Sequence, residues 1–230
     1  MSLLIMLCSH LKKFIYLKTR KTASTTIEIF FEPYCLADQF KKNHSAFETI
    51  SSAGIVGSRK EGKAPTDIYF NHMPGYRVKD LLGDEIFNSY LKFCSIRNPY
   101  DATVSRFWWL VKNDPVLEKF LQTSTFPIVK KYFNQFVLKS SKGRLSNDKD
   151  IFMINGKPVI DFFIRYENLS EDLKSLCSKL NIPFETTDIG EFNVRPKFRN
   201  EHYSDYFNNE SKDKMLEEFK WIFDNFDYSL

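Results

Sequence analysis

The sequence predicts an α/β fold in which a central, mainly parallel sheet is flanked by helices, with residues 1–230 forming a single domain. Three observations carry this expectation. Short apolar runs alternate with stretches of helical period, and the strand–helix–strand order demands parallel neighbours. Hydrophobic residues make up 43% of the chain, enough for a real core. Finally, 23 Phe and 11 Tyr stand against 8 Gly, so wide rings rather than flexible tracts fill that core.

The first run, Phe14-Ile15-Tyr16-Leu17, reads as a strand, and Thr26-Ile27-Glu28-Ile29-Phe30-Phe31 reads as a helix that stops before Pro33. Ile68-Tyr69-Phe70 and Phe93-Cys94-Ser95-Ile96 read as two buried strands, each ending at a polar loop with a Pro, Pro74 and Pro99. Between them Leu81, Leu82, Ile86 and Tyr90 recur at helical spacing, predicting a helix over 80–91. Val104, Phe107, Trp108 and Val111 mark one face of a helix over 102–112, and these rings are expected in the core. Asn155-Gly156 between two apolar runs, 151–154 and 158–160, predicts a type I′ hairpin. Phe162-Phe163-Ile164 follows as a strand. A helix over 169–180 is capped by Asn168 or Ser170 and closed by Asn181 and Pro183, and a last amphipathic helix runs from Met215 to Phe226.

The chemistry begins in the turn after the first strand. Lys18-Thr19-Arg20-Lys21-Thr22-Ala23-Ser24-Thr25-Thr26 sets three cations, small residues and hydroxyls at a helix N-terminus. Such a place attracts anions, because first-turn N–H groups lack helical partners and the helix dipole adds positive charge. Ala23 and Ser24 are small enough for a phosphate to approach the backbone, and Lys21 brings a mobile charge. The run is not a G-x-x-x-x-G-K-[ST] motif, and a basic surface turn with a hydroxyl cap would explain it equally well on its own.

A second constellation follows the Phe93–Ile96 run. Arg97-Asn98-Pro99 stands at a strand end, and Ser105 lies eight residues after Arg97 on the next helix. A guanidinium fork and a hydroxyl so arranged can grip one phosphate from two sides, so the ligand should carry two anionic groups.

These two stretches, Arg20 to Thr26 and Phe93 through Ser105, resemble the sulfotransferases that use 3′-phosphoadenosine 5′-phosphosulfate (PAPS). The likeness is greatest to the carbohydrate branch, including heparan sulfate 2-O-sulfotransferase, and its bacterial relatives. Two later stretches resemble that group as well: Phe162 to Pro183, with Arg165-Tyr166-Glu167-Asn168-Leu169, and His202-Tyr203-Ser204-Asp205-Tyr206-Phe207. The resemblance implies a P-loop-like three-layer sandwich. It implies that Arg20, Lys21, Thr22, Ala23, Ser24, Thr25 and Thr26 hold the 5′-phosphosulfate, with Lys21 near the bridging oxygen, and that Arg97 and Ser105 hold the 3′-phosphate. Several relatives have Gly where Ala23 or Ser24 stands. The Arg-Lys-Gly-rich C-terminal segment of the cytosolic branch is missing, and Arg199 in Arg195-Pro196-Lys197-Phe198-Arg199 is expected to supply a late basic contact instead.

Sulfuryl transfer to a hydroxyl needs in-line approach, removal of the acceptor proton and stabilisation of charge on the departing phosphate. Lys21 and the helix N-terminus suit the last task. His72 suits the second, because it follows the Ile68–Phe70 run and so lies at the carboxyl edge where parallel sheets bind ligands; the resemblance implies a catalytic His at the same place. His202 is the rival base, with packing of a His-Tyr pair near a helix start as its plainer reading, while His10 and His44 have no supporting context. The acceptor is expected to be a hydroxyl compound, a glycan or small molecule.

Other classes fare less well. A P-loop kinase acting on a small molecule needs a magnesium carboxylate and a Gly-Lys-Ser/Thr loop, and neither is evident. A non-catalytic protein binding a nucleotide or sulfated glycan is not excluded by any sequence feature. The formal charge of +4 is too small and interspersed for a nucleic-acid binder. Cys8, Cys35, Cys94 and Cys177 form no C-x-x-C pair, so core thiols are expected and no metal is required. The apolar stretch Leu3 to Cys8 is far shorter than the roughly 20 residues of a membrane helix, and a cytoplasmic location is expected.

Overall fold

The computed structural model describes residues 6–37, 48–58, 68–70, 72–145, 147–185 and 200–230. The chain divides into two compact units, one made of Met1–Ile96 and Asp148–Phe192, the other of Arg97–Asn147 and Asn193–Leu230.

The first unit is α/β. Its strands are β1 (Leu7–Ser9), β2 (Phe14–Tyr16), β3 (Thr49–Ser51), β4 (Gly54–Val56), β5 (Leu91–Ile96) and β8 (Phe162–Arg165), in the spatial order β3-β4-β1-β2-β5-β8. The sheet is mixed, which corrects the expectation of a mainly parallel one. β2–β5 and β5–β8 are parallel, whereas β1–β2, β1–β4 and β3–β4 are antiparallel. The cause is connection length. Tight turns at 10–13 and 52–53 join β1 to β2 and β3 to β4, and a tight turn can only reverse the chain. The pairs β2–β5 and β5–β8 span helices and run parallel, while β1–β4, which also spans a helical stretch, runs antiparallel. At the β3–β4 turn a side chain on Gly54 would meet the Cys8 carbonyl oxygen at 2.1 Å, so the two antiparallel neighbours close only over glycine.

Helices α1 (Ser24–Phe31) and α7 (Leu169–Leu180) cover one face of this sheet. Alternate strand residues Leu7, Phe14, Tyr16, Val56, Phe93 and Ile164 meet Ile27 and Phe31 of α1 and Leu173, Leu176 and Leu180 of α7. Phe31, Phe14 and Tyr16 all pack on Phe93, with ring centroids 4.9–5.5 Å apart, and each such ring contributes about 1.5–3 kcal/mol by leaving water. Phe163 points to the opposite face and meets Phe152 of the short helix α6 (Lys149–Phe152).

Several sequence expectations shift within this unit. Ile68-Tyr69-Phe70 forms an isolated parallel bridge, Ser58 with Phe70, rather than a strand. The helix expected over 80–91 is α2 (Gly75–Ser89), interrupted at Gly83, whose φ of 79° lies outside helical space. That break resets the phase, so Val78, Leu82 and Phe87 are buried while Leu81 faces solvent. Ile151 and Phe152 belong to α6, and the Asn155-Gly156 hairpin is confined to β6 (Met153–Ile154) and β7 (Lys157–Pro158). Both turn residues have positive φ, 51° and 75°, as the type I′ expectation requires. Asn181 closes α7 in the left-handed region, also as expected. The four cysteines are buried thiols in no disulfide; loss of water pushes the Cys8 thiol up to about 12 and holds those of Cys35 and Cys94 well above the ordinary 9.0.

The second unit is helical. It comprises α3 (Pro99–Lys112), α4 (Pro115–Thr123), α5 (Phe126–Lys139), α8 (Asn209–Glu218) and α9 (Lys220–Asn225), with a 3-10 turn at Tyr203–Tyr206. The last amphipathic stretch is thus two helices, broken at Phe219. Phe107 and Trp108 are core residues, as expected, and so is Tyr100: Phe133 packs on Phe107, Tyr206 and Phe207, and the Trp108 indole donates to the Tyr206 hydroxyl at 3.2 Å. Among the described residues no helix is long and apolar enough to cross a membrane.

At the edge of the sheet Asp172 accepts hydrogen bonds from Arg165 N, Nε and Nη2 at 2.7–2.9 Å and from Asn168 Nδ2 at 2.9 Å. Burial alone would raise its carboxyl; the bonds from the Arg165 side chain, the Arg165 main chain and Asn168 outweigh it and hold the group below 3.8. A lowered native value stabilises the fold above the unfolded value and loses that stabilisation as pH falls through the native one. Asp172→Asn is therefore expected to cost about 1–2 kcal/mol at neutral pH, Arg165 being half exposed. In urea melts the gap from wild type should close as pH falls below 3.8.

Candidate functional site

β2 and β5 are adjacent and parallel, with Tyr16 opposite Phe93, and the loop 17–23 leaves the carboxyl end of β2. Leu17 N donates to Phe93 O at 2.9 Å, carrying the pairing one residue beyond the strand. The loop is then fixed by buried polar groups. Thr19 Oγ1 donates to the Ser95 carbonyl, Thr22 Oγ1 lies 2.9 Å from Thr19 Oγ1, and Ser95 Oγ lies 2.7 Å from Thr22 Oγ1. Since the Thr19 proton is spent on the carbonyl, Thr19 Oγ1 accepts within this cluster, from Thr22 or from Ser95 Oγ 3.2 Å away, and the three hydroxyls close one buried hydrogen-bonded ring. The Tyr16 hydroxyl donates to the Ser24 carbonyl at 3.3 Å.

The three loop cations take different places. Lys18 is buried and its ammonium is ion-paired with Glu28 of α1, itself 1% exposed. Arg20 pairs through its guanidinium with Asp148, whose second oxygen accepts Arg20 N at 2.5 Å. Lys21 is half-buried, with φ at 63°. Ala23 occupies the N-cap of α1 with φ at 57° and no side-chain cap, so the hydroxyl-capped surface turn that was the plainer reading is not what forms. Thr22 and Ser24 are buried, Thr25 and Thr26 half-buried, and Thr26 N donates to the Ala23 carbonyl at 3.0 Å.

His72 joins this loop directly. Its Nδ1 lies 2.9 Å from the Lys18 carbonyl oxygen. A carbonyl only accepts, so Nδ1 carries the proton and the lone pair of the neutral ring lies on Nε2, the arrangement a proton acceptor needs. His72 also has a left-handed backbone, φ 50°. The rival His202 instead accepts from Ser204 N in the capping box of the 3-10 turn and packs at a tilt against Tyr203, a structural role. His10 Nδ1 lies 3.0 Å from the Tyr90 hydroxyl. His44 and Arg199 lie outside the described residues.

Arg97 follows Ile96 of β5 in the chain and belongs to the second unit. There its Nε and Nη2 donate to Asp101 Oδ2, in the first turn of α3, at 2.8 and 2.6 Å. Asn98 caps α3 by accepting Tyr100 N, and Ser105 is half-buried farther along that helix. Sequence reasoning missed Glu28, Asp148 and Asp101. Glu28 was discoverable: it lies on the stripe of Ser24, Ile27 and Phe31, the buried positions of α1.

Glycine suffers no steric penalty at φ 57°, whereas alanine in the left-handed region costs about 1–2 kcal/mol, part of which is offset by glycine's greater freedom when unfolded. Ala23→Gly should thus raise stability by about 0.5–1 kcal/mol in a denaturant melt.

No family model matches the chain, and no solved structure matches it. Among curated proteins it is 29% identical over 119 residues to an uncharacterized protein of Archaeoglobus fulgidus, a match covering 49% of this chain and 86% of that protein.

Proposed function

We propose that the protein is a sulfotransferase that moves a sulfuryl group from PAPS to an acceptor hydroxyl, a carbohydrate first among acceptor classes, on a P-loop-like three-layer framework. The observation that carries the reading is the junction of the β2–α1 loop with His72: a helix start without a side-chain cap, cations beside it, and an imidazole bonded to the loop's own main chain at Lys18. Left-handed backbone at Ala23 also suits this reading, since glycine favours that conformation and several relatives carry Gly where Ala23 or Ser24 stands.

The donor supplies a sulfuryl group on a good leaving phosphate. In transfer the sulfur–oxygen bond to the 5′-phosphate breaks as one to the acceptor oxygen forms, and the acceptor proton passes to His72 Nε2. The Lys21 ammonium and the start of α1 offset charge on the departing phosphate, which is where such electrostatic help lowers the barrier. Arg20, Thr22, Ala23, Ser24, Thr25 and Thr26 complete the loop that grips it. Arg97 and Ser105 are assigned the 3′-phosphate; Asp101 holds the Arg97 guanidinium in a set orientation before binding. Arg199 keeps its assignment as a late basic contact.

Adenosine 3′,5′-bisphosphate should raise the melting temperature of the protein, and Lys21→Ala or Arg97→Ala should abolish the rise. His72→Ala should keep the rise while transfer of labelled sulfate to a glycan panel falls on the order of a hundredfold. No rise at millimolar ligand removes the reading. Binding without transfer to any acceptor replaces it with a nucleotide-binding protein.

A further inference from the structure

The buried pair Lys18–Glu28 needs a reason beyond stability. Taking both charges out of water costs several kcal/mol per ion by general estimate, roughly what their attraction returns, and an apolar pair of equal volume holds a strand to a helix at least as well. What an ion pair adds is direction. Lys18 lies between two anchored residues: Leu17 N bonds to Phe93 O, and Thr19 Oγ1 bonds to Ser95 O. With its ammonium on Glu28 the side chain of residue 18 is pinned as well. Its carbonyl then points one way, and the group on it is His72 Nδ1 at 2.9 Å.

We infer that the Lys18–Glu28 pair is a positioning device for His72: it fixes the Lys18 carbonyl, and the carbonyl fixes the orientation and tautomer of the imidazole. Neither residue touches a reacting atom in this scheme. A second, independent observation is the left-handed φ of 50° at His72, a strained backbone state for a side-chain-bearing residue that persists where surrounding bonds over-determine it. The inference rests on the reading of His72 as proton acceptor for its purpose, though not for its geometry. It deepens that reading by naming what holds the base against the anion loop.

The test reads the imidazole itself. Long-range proton–nitrogen-15 correlation spectra of the full chain, with His72→Gln assigning the signals, should give the neutral ring of His72 as the Nδ1–H tautomer. The double variant Lys18→Met with Glu28→Leu, confirmed folded by a cooperative melt, should move that signal towards the Nε2–H form that prevails for histidine in water. Should the double variant not fold, Glu28→Asp keeps both charges, withdraws the carboxylate by one methylene and is read the same way. An Nε2–H tautomer in the wild type overturns the inference, as does an unchanged Nδ1–H pattern in the folded variant. Melting shifts with adenosine 3′,5′-bisphosphate are recorded on the same samples. The expected tautomer without a shift leaves the positioning standing and removes the sulfotransferase reading, whereas a shift with the wrong tautomer does the reverse.

Discussion

A buried lysine facing a buried glutamate is the constraint from which the rest of the first unit takes its shape. Lys18 leaves β2 and Glu28 sits one helical turn inside α1, on the stripe that also buries Ile27 and Phe31. Because neither charge can be left alone in an apolar core, the strand end and the helix must meet in one register. The residues between them, 19 to 23, are then confined to a short span, and the chain closes it with left-handed backbone at Lys21 and Ala23. The hydroxyls of Thr19, Thr22 and Ser95 fill the polar interior of that bend.

This arrangement separates the cations by task. Lys18 serves the fold through Glu28, Arg20 is tied to Asp148 at the start of the returning segment, and Lys21 sits on the left-handed corner of the loop. Asp148 bonds both main chain and side chain of Arg20, so the return of the chain into the first unit is registered on the loop itself. In the second unit Asp101, in the first turn of α3, holds the guanidinium of Arg97, which precedes that helix. Arg20 in the first unit and Arg97 in the second are thus each oriented by a carboxylate.

Much of the first unit was legible because its signals are local. The strand at Phe14, the helix at Leu169 closed by Asn181, and the Asn155-Gly156 turn follow from period and turn chemistry alone. The mixed sheet was not legible from apolar runs, since β1 and β3 are three residues each and their direction is set by the turns beside them. Gly83 hid the true face of α2 by breaking its period. The helices α4 and α5 went unread although Asp114-Pro115 and Thr125-Phe126-Pro127 are helix starts of an ordinary kind. At the site, residue types pointed to the loop and to His72, but not to their partners: Glu28, Asp148 and Asp101 are carboxylates whose role depends on burial and on chain returns, which spacing does not encode.

The central physical claim is that Lys18 and Glu28 act as one unit in the core. A double-mutant cycle in urea on Lys18→Met, Glu28→Leu and their combination measures it most directly. Each single variant should lose about 3–5 kcal/mol by removing one half of a buried ion pair, and the combination should recover most of that loss. Single variants that cost less than about 1 kcal/mol, or losses that simply add, would contradict the account.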